Sequence, residues 1–409
     1  MGRAVVTCPH TRRPRPAHRR HVRGGWGFRT AGRAVVLAVA MIGPGAAARG
    51  HETDPFTAPK PEPGAPAPRE FADLGPVLDR WMYRLVEAAV VRTNARIAAC
   101  ARANDDPARL AFLRRPDELV NNLDRVTPGS LQVIGQLERY ARSPGLRDEH
   151  PGRVGAFRAG GAGVYGGAFA WPDVRAVSHL FLSSTVRVHG VHQGTDKLGH
   201  FTDMGRAYYW AYVTAARGGA TEPEARRRAV AVGTDGVWSE RGLLGLAGTG
   251  CYSNADLAAN YAGMLFYLNL TEPVTVGGGR PLPPMVERDG LYWRLAAHVH
   301  PGAPLLAPFV TDHWDEALNP SLVDRGMRRN LRRAVRARAA GIIARYQAAA
   351  GRSLPAAYFA ARRVELATYH GADYGHRGEP EELIDIASTC FDARSAGAAI
   401  TGVAHAKPR

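Results

Sequence analysis

The chain is poor in cysteine and has no long apolar run. Four cysteines serve 409 residues, at positions 8, 100, 251 and 390. None stands in a C-x-x-C pair, which excludes a zinc ribbon or a thioredoxin-type redox site. Cys8 belongs to a basic leader. Cys100, Cys251 and Cys390 then allow at most one disulfide and leave one thiol free. No apolar stretch reaches the ~18 residues that a membrane-spanning helix needs. The glycine-rich segment 156–174 is not followed by Lys-Ser/Thr, so it is not a phosphate-binding loop. No zinc-knuckle, RRM or arginine-stripe signature of a nucleic-acid binder appears either.

Basic residues number 53 against 37 acidic, for a formal charge of +16. Residues 1–48 carry nine arginines and no acid, and without them the balance is only +7. A body that mildly basic does not demand a nucleic-acid partner. The leader has the three parts of a secretory signal. A long basic n-region ends in "TAGR", a nine-residue apolar run fills 34–42, and Ala46-Ala47-Ala48 fits a small-residue cleavage site. Residues 49–69 contain six prolines and read as an extended linker. The expected organisation is a signal over 1–48, a Pro-rich linker over 49–69, a helical domain over 70–395 and a flexible tail over 396–409. The expected location is periplasmic or secreted, with no transmembrane span in the mature chain.

From residue 71 onward the apolar spacing is helical. Leu78, Met82, Leu85, Val86, Ala89, Val90 and Ile97 repeat at three and four. A further helix is expected to open with Thr127 as N-cap and Pro128 behind it. Three later helices carry polar groups. The first begins after Thr195 and runs over about 196–216. The second opens on the Thr221/Glu224 capping box and is expected to run to about 241. The third opens on the Ser253/Asp256 capping box and runs to about 270. A long basic helix is expected over about 322–350. The fold class is therefore mostly α: an irregular helical bundle with a three-helix core and long loops.

Positions four apart in a helix differ by 40° and share a face. Asp196 and His200 share one, continued by Ala207 and Ala211. Ala229, Gly233, Gly236 and Glu240 form a small-residue stripe ending in an acid. Asp256, Asn260, Gly263 and Tyr267 align on the third helix. Small residues let helix backbones approach, so five polar groups are expected to converge: Asp196, His200, Glu240, Asp256 and Asn260. Two readings stay open. Asp196, His200, Glu240 and Asp256 are hard or borderline ligands that suit a divalent metal such as zinc, manganese or magnesium, or they share acid/base duty with Asn260 orienting one of them. Alternatively they form a buried structural network, since Asp196 suits a helix N-terminus and Asp256 completes a capping box.

Neighbouring groups read as peripheral. His189 and His192 precede the helix start and are placed in a loop. Lys197, turned 100° from Asp196, is expected to face solvent, and Asp203 to stand behind His200. "TDHWDEALNPS", with Asp312, His313, Asp315 and Glu316, reads as a solvated helix end. "YHGADYGH", with His370, Asp373 and His376, reads as a loop. Either segment could cover the three-helix site. The basic run after 322 reads as a solvated helix face or as a contact with an anionic envelope surface.

"GTDKLGHF", then Glu240, then "SNADLAANYAG" resembles the skeleton of VanZ-like proteins and of the small predicted periplasmic lipoproteins of the YfiM type. The matching positions are Asp196, Lys197, His200, Phe201, Glu240, Ser253, Asp256, Asn260 and Gly263, and the likeness covers about 188–270. The resemblance implies a helical bundle and an envelope setting, and it supplies no reaction. VanZ-like proteins cross the membrane several times, whereas here the same helices carry Arg, Glu and Asp. The expected function is that of an exported envelope-associated protein. Its cluster serves either a metal-assisted hydrolase acting on an envelope lipid or glycan, or a non-enzymatic scaffold or binding module. The expected partner is an envelope component or a membrane surface, with no nucleic acid.

Overall fold

The computed structural model describes residues 70–103, 106–126, 136–141, 143–151, 153–154, 182–277 and 281–391, together with Glu52, Thr53, Phe56 and Val164. The expected signal segment, most of the linker, the whole of the 396–409 tail, the Thr127-Pro128 helix start and nearly all of the glycine-rich segment lie outside these residues. Backbone contacts separate Met1–Ile42 from Gly43–Arg409, and every described residue belongs to the second unit.

One helix explains the arrangement of the rest. All sixteen residues of Asn254–Asn269 are buried. Its sequence, NADLAANYAGMLFYLN, has small or apolar residues on every side, and a helix of that kind must be enclosed by other elements. In chain order the elements are β1 (Glu52–Thr53), α1 (Gly75–Arg102), α2 (Pro107–Leu113), α3 (Pro116–Val126), α4 (Gln136–Ala141) and α5 (Pro144–Glu149). Then come β2 (Leu182–Ser183), β3 (Thr185–Val188) and β4 (Val191–Gly194), followed by α6 (Asp196–Gly199), a π-helical turn His200–Met204 and α7 (Gly205–Arg217). Next are α8 (Glu222–Thr234), β5 (Cys251–Tyr252), the central α9 (Asn254–Asn269), β6 (Val286–Asp289) and β7 (Tyr292–Leu295). The chain continues through β8 (Leu322–Val323), α10 (Arg325–Arg336), α11 (Ala339–Ala350), α12 (Ala356–Glu365) and α13 (Ile386–Thr389).

The fold is mostly α. Its strands form two-stranded pairs, β1 parallel to β2 and β3–β4, β5–β8 and β6–β7 antiparallel. The β1–β2 pair, with Phe56 buried in an apolar cluster, ties two points of the proline-rich stretch to the body. α7 packs on both α8 and α9, and α1 packs on α3. A main apolar cluster runs from Leu74 through Phe201, Leu257 and Phe266 to Tyr374. A second one, with Met327, Leu331, Val335, Ile342, Phe359 and Ile386, lies under α10 to α13. Cys100, Cys251 and Cys390 are all free thiols.

Two expected helices are redrawn. α8 stops at Thr234, where Asp235 turns extended and Gly236 takes φ 109°, a left-handed value that favours glycine. Gly236 and Glu240 are therefore not on that helix. The long basic helix divides at Ala337–Arg338 into α10 and α11, and its first residues pair instead as β8 with β5.

The meeting of α7 with α9 rests on two glycines. A Cβ on Gly205 would stand 2.6 Å from Gly263 Cα, and one on Gly263 would collide with the Phe201 carbonyl oxygen. Only backbone fits there. Gly263→Ala is expected to cost about 1–3 kcal/mol through overpacking, read as a lower urea midpoint at an unchanged m-value. In the π-turn before α7 the Thr202 carbonyl accepts a hydrogen bond from the Tyr267 hydroxyl at 2.9 Å. Beyond the turn Gly205, Tyr208 and Tyr209 are buried, while Ala207 and Ala211 are only half-buried.

Candidate functional site

The five residues expected to converge come from three directions. Asp196 and His200 stand on α6 and the π-turn. Thr195 precedes α6 but makes no side-chain cap; instead Asp196 Oδ1 accepts from the Lys197 backbone N–H at 3.0 Å. Asp256 and Asn260 lie on α9, where Ser253 is the true N-cap and its Oγ accepts from the Asp256 N–H at 3.2 Å. Glu240 arrives on the turn after α8. Its N–H bonds to the Gly233 carbonyl at 2.8 Å, which folds the segment back on the helix end. Its Oε2 accepts from the Ser253 N–H at 2.9 Å.

Two residues join that the sequence pattern placed elsewhere. Lys197, expected in solvent, is fully buried with 0% side-chain exposure. Its ammonium lies 2.9 Å from Asp196 Oδ2, 2.5 Å from Asp256 Oδ1 and 2.5 Å from Glu316 Oε1. The reason is the packing of the 312–319 turn. That segment was expected to be a solvated helix end, yet His313, Trp314, Asp315, Glu316 and Asn319 are all buried. Trp314 packs against Phe201 with ring centroids 5.3 Å apart, and this places Glu316 over α6. Glu316 Oε1 also accepts from Ser253 Oγ at 2.8 Å.

A signal for Lys197 was present. Of the 53 basic residues only three are lysines, and the other two, Lys60 and Lys407, fall outside the described residues. A compact ammonium donates in three directions, whereas a planar guanidinium does not. An Arg-rich chain that places a lysine inside a D-K-x-x-H stretch is using that geometry. Glu316 carried a weaker signal: it is an acid flanked by Trp314, Ala317 and Leu318, more apolar than a solvated end needs.

Asp256 bridges the two cations. One oxygen meets Lys197, and the other lies 3.1 Å from His200 Nε2. His200 Nδ1 meets the Asn260 amide at 2.9 Å. The amide serves the ring in either charge state. The imidazolium donates to Asn260 Oδ1. A neutral ring accepts from the turned amide nitrogen, which then also reaches the backbone carbonyls of Asp256 at 3.2 Å and His200 at 3.3 Å. Both ring nitrogens are thus engaged inside the core.

Electrostatics follow from burial. Burial raises Glu240, repulsion from Asp256 adds to it, and the carboxyl is pushed up to about 8. Burial likewise raises Glu316, against the pull of Lys197, to about 7. Burial works to raise Asp256 too, but His200 and Lys197 outweigh it and hold the group down at about 2. Burial opposes the charged form of His200, yet Asp256 beside it lifts the ring to about 10. Near neutral pH His200 is therefore positive and Asp256 negative, while Glu240 and Glu316 carry protons for much of the time.

Two sets of side chains offer ligand atoms within 4.8 Å of one another: Asp196, Asp256 and Glu316, and His200, Glu240 and Asp256. The first already surrounds the Lys197 ammonium, so a cation of the protein's own fills its centre. The second fits a divalent ion only if His200 Nε2 gives up its bond to Asp256. Asp196, expected among the ligands, belongs to the lysine set.

The remaining candidates lie apart. His192 sits on β4 rather than in a loop, its ring 5.6 Å from Phe71 and 6.5 Å from Tyr346 by centroids. His189 turns between β3 and β4 and pairs with Asp79 at 3.1 Å. Asp203 is exposed. In the 370–376 loop the Tyr374 hydroxyl bonds to Asn319 at 3.1 Å and the Gly375 N–H to Asp373 at 2.8 Å. Among the described residues no helix is long and apolar enough to cross a membrane. Comparison of the chain with models of known protein families, with curated proteins and with solved structures finds no match.

Proposed function

We propose that the chain is an exported, envelope-associated scaffold or binding protein whose buried ionic cluster locks its helical core. The observation that carries this reading is the Lys197 ammonium, wholly enclosed and paired with Asp196, Asp256 and Glu316. Those three acids come from α6, α9 and the 312–319 turn, so one cation holds three separate chain segments. The state of His200 supports the same reading. A general base must offer a free nitrogen to its substrate, and both of its nitrogens face protein groups. The basic leader, the proline-rich linker and the VanZ-like skeleton support export and an envelope setting.

A second reading, a metal-assisted hydrolase of an envelope lipid or glycan, draws on the convergence of His200, Glu240 and Asp256. Elemental analysis of the full chain purified without chelator separates the two. The scaffold reading expects less than one zinc, manganese or magnesium per ten chains. Stoichiometric metal that disappears in His200→Ala and Glu240→Ala, with the fold retained, would overturn it.

A further inference from the structure

We propose that the outward face of α10 is a docking surface for anionic phospholipid headgroups. α10 contains six arginines and no acid. Met327, Leu331 and Val335 are buried on its inner side. The arginines divide into two groups. Arg328 and Arg332 lie on the flank, half-buried, and donate to the backbone carbonyls of Val323, Glu381 and Leu383. Arg328 also approaches Glu382 at 3.8 Å. These two are knitted into the fold.

Arg325, Arg329, Arg333 and Arg336 are exposed, and their spacing of four, four and three puts them in one row within an arc of about 80°. The row is about 16 Å long. Among the described residues no ion pair joins any of the four to a carboxylate. Among the described residues their side-chain bonds are long ones to neutral groups, Arg333 to Asn330 Oδ1 at 3.3 Å and Arg336 to the Thr389 carbonyl at 3.4 Å. The run of arginines in the sequence did not separate into a stripe, because the sorting depends on which flank the 381–383 segment covers.

Like charges at i,i+4 destabilise a helix, so the row opposes the fold that carries it. A surface of opposite charge would turn that cost into attraction. Guanidinium groups bind phosphate oxygens through paired N–H donors. The outward face carries no large apolar side chain, so contact would be made at headgroup level without insertion. A straight row matches a plane, and a charged bilayer is such a plane. The choice of lipid over nucleic acid rests on the export reading above, while the row itself does not.

The test is co-sedimentation of the full chain with phosphatidylcholine vesicles, with and without phosphatidylglycerol. The same assay is run on a variant carrying Arg325→Gln, Arg329→Gln, Arg333→Gln and Arg336→Gln. The leader arginines are present in both proteins, so the difference reads the row. Wild type is expected to sediment with the anionic vesicles only, and less so as salt rises. The variant is expected to bind on the order of a thousandfold more weakly and to melt no lower. Arg227→Gln with Arg228→Gln, an exposed pair on α8, is the control and is expected to bind as wild type. Undiminished binding by the quadruple variant, an equal loss in the control, or no binding by wild type would each overturn the proposal. So would tighter binding to duplex DNA than to vesicles at the same salt. None of these results depends on the metal content of the cluster, so this proposal and the scaffold reading can fail separately.

Discussion

Lys197→Met is expected to destabilise the protein by about 3–5 kcal/mol at neutral pH, the range for removing one partner of a buried ionic network. Methionine matches the lysine stem in length and leaves only the charge missing. Asp196, Asp256 and Glu316 would then repel one another at 3% exposure or less, with only His200 to balance them. The folded-state pKa of Glu316, already raised by burial, would rise further without the pull of Lys197. Stability from such groups is present at low pH and lost as pH rises through the raised value. The variant should therefore recover toward acid pH, where wild type gains less. Adding Glu316→Gln should restore part of the loss at neutral pH, since one acid fewer needs neutralising. Lys197→Arg should not restore it, because the planar fork cannot meet three acids that converge on one ammonium. Urea titrations of the four proteins at pH 5 and pH 7.5 provide the measurement. A loss below 1 kcal/mol for Lys197→Met at neutral pH would sink the locking role.

The second large effect is an alkaline loss of stability that Glu240→Gln reduces. Glu240 ionises near 8 in the folded chain and near 4.5 when unfolded. The folded state holds the extra proton between those values. The stability linked to it is complete below about 4.5 and disappears as pH climbs through about 8. Glu316 acts in the same direction, its window closing near 7. His200, raised to about 10, adds a later loss. Asp256 has the opposite sign: its contribution holds above 3.8 and fails as pH falls toward 2. These four windows place the maximum of the wild-type profile at about pH 4, with a loss of several kcal/mol by pH 9. Glutamine keeps an acceptor for the Ser253 N–H and has no proton to lose. The Glu240→Gln profile should be flatter from pH 6 to pH 9, with the variant the more stable above pH 8. Thermal melts across that range decide it, and parallel curves for the two proteins would contradict the assignment.

Much of the central helix unit was legible in the sequence. The Ser253 N-cap and the start after Thr195 placed α9 and α6, and the spacing of Asp196, His200, Asp256 and Asn260 brought those four together. The capping box itself is only half formed, because the Ser253 N–H donates to Glu240 and the Asp256 carboxylate turns to Lys197 and His200. Glu240 reached the cluster by another route. Its stripe of small residues implied a continuous helix, but the chain turns at Gly236, and a backbone bond to Gly233 returns Glu240 to its place. Lys197 and Glu316 were misplaced for related reasons. Helical projection treats each helix alone, so it cannot see a turn 119 residues away that covers the lysine. Long-range pairing of one ammonium with one acid leaves no periodic trace, only the scarcity of lysine in a chain that otherwise uses arginine.

The π-turn at His200–Met204 explains one further departure. An ideal helix carries the Asp196 and His200 face on to Ala207 and Ala211, but the buried positions past the turn are Gly205, Tyr208, Tyr209 and Ala215. A wider turn holds more residue per revolution, so every later side chain lags in phase. The two halves of this helix therefore keep separate registers: the first addresses the ionic cluster, the second the glycine contact with α9 and the Tyr208 approach to Gly233. Deleting one residue within the turn would bring the halves into phase, and Tyr208 would swing away from α8. The extra residue thus lets a single rod face two partners that no regular helix of this sequence could face at once.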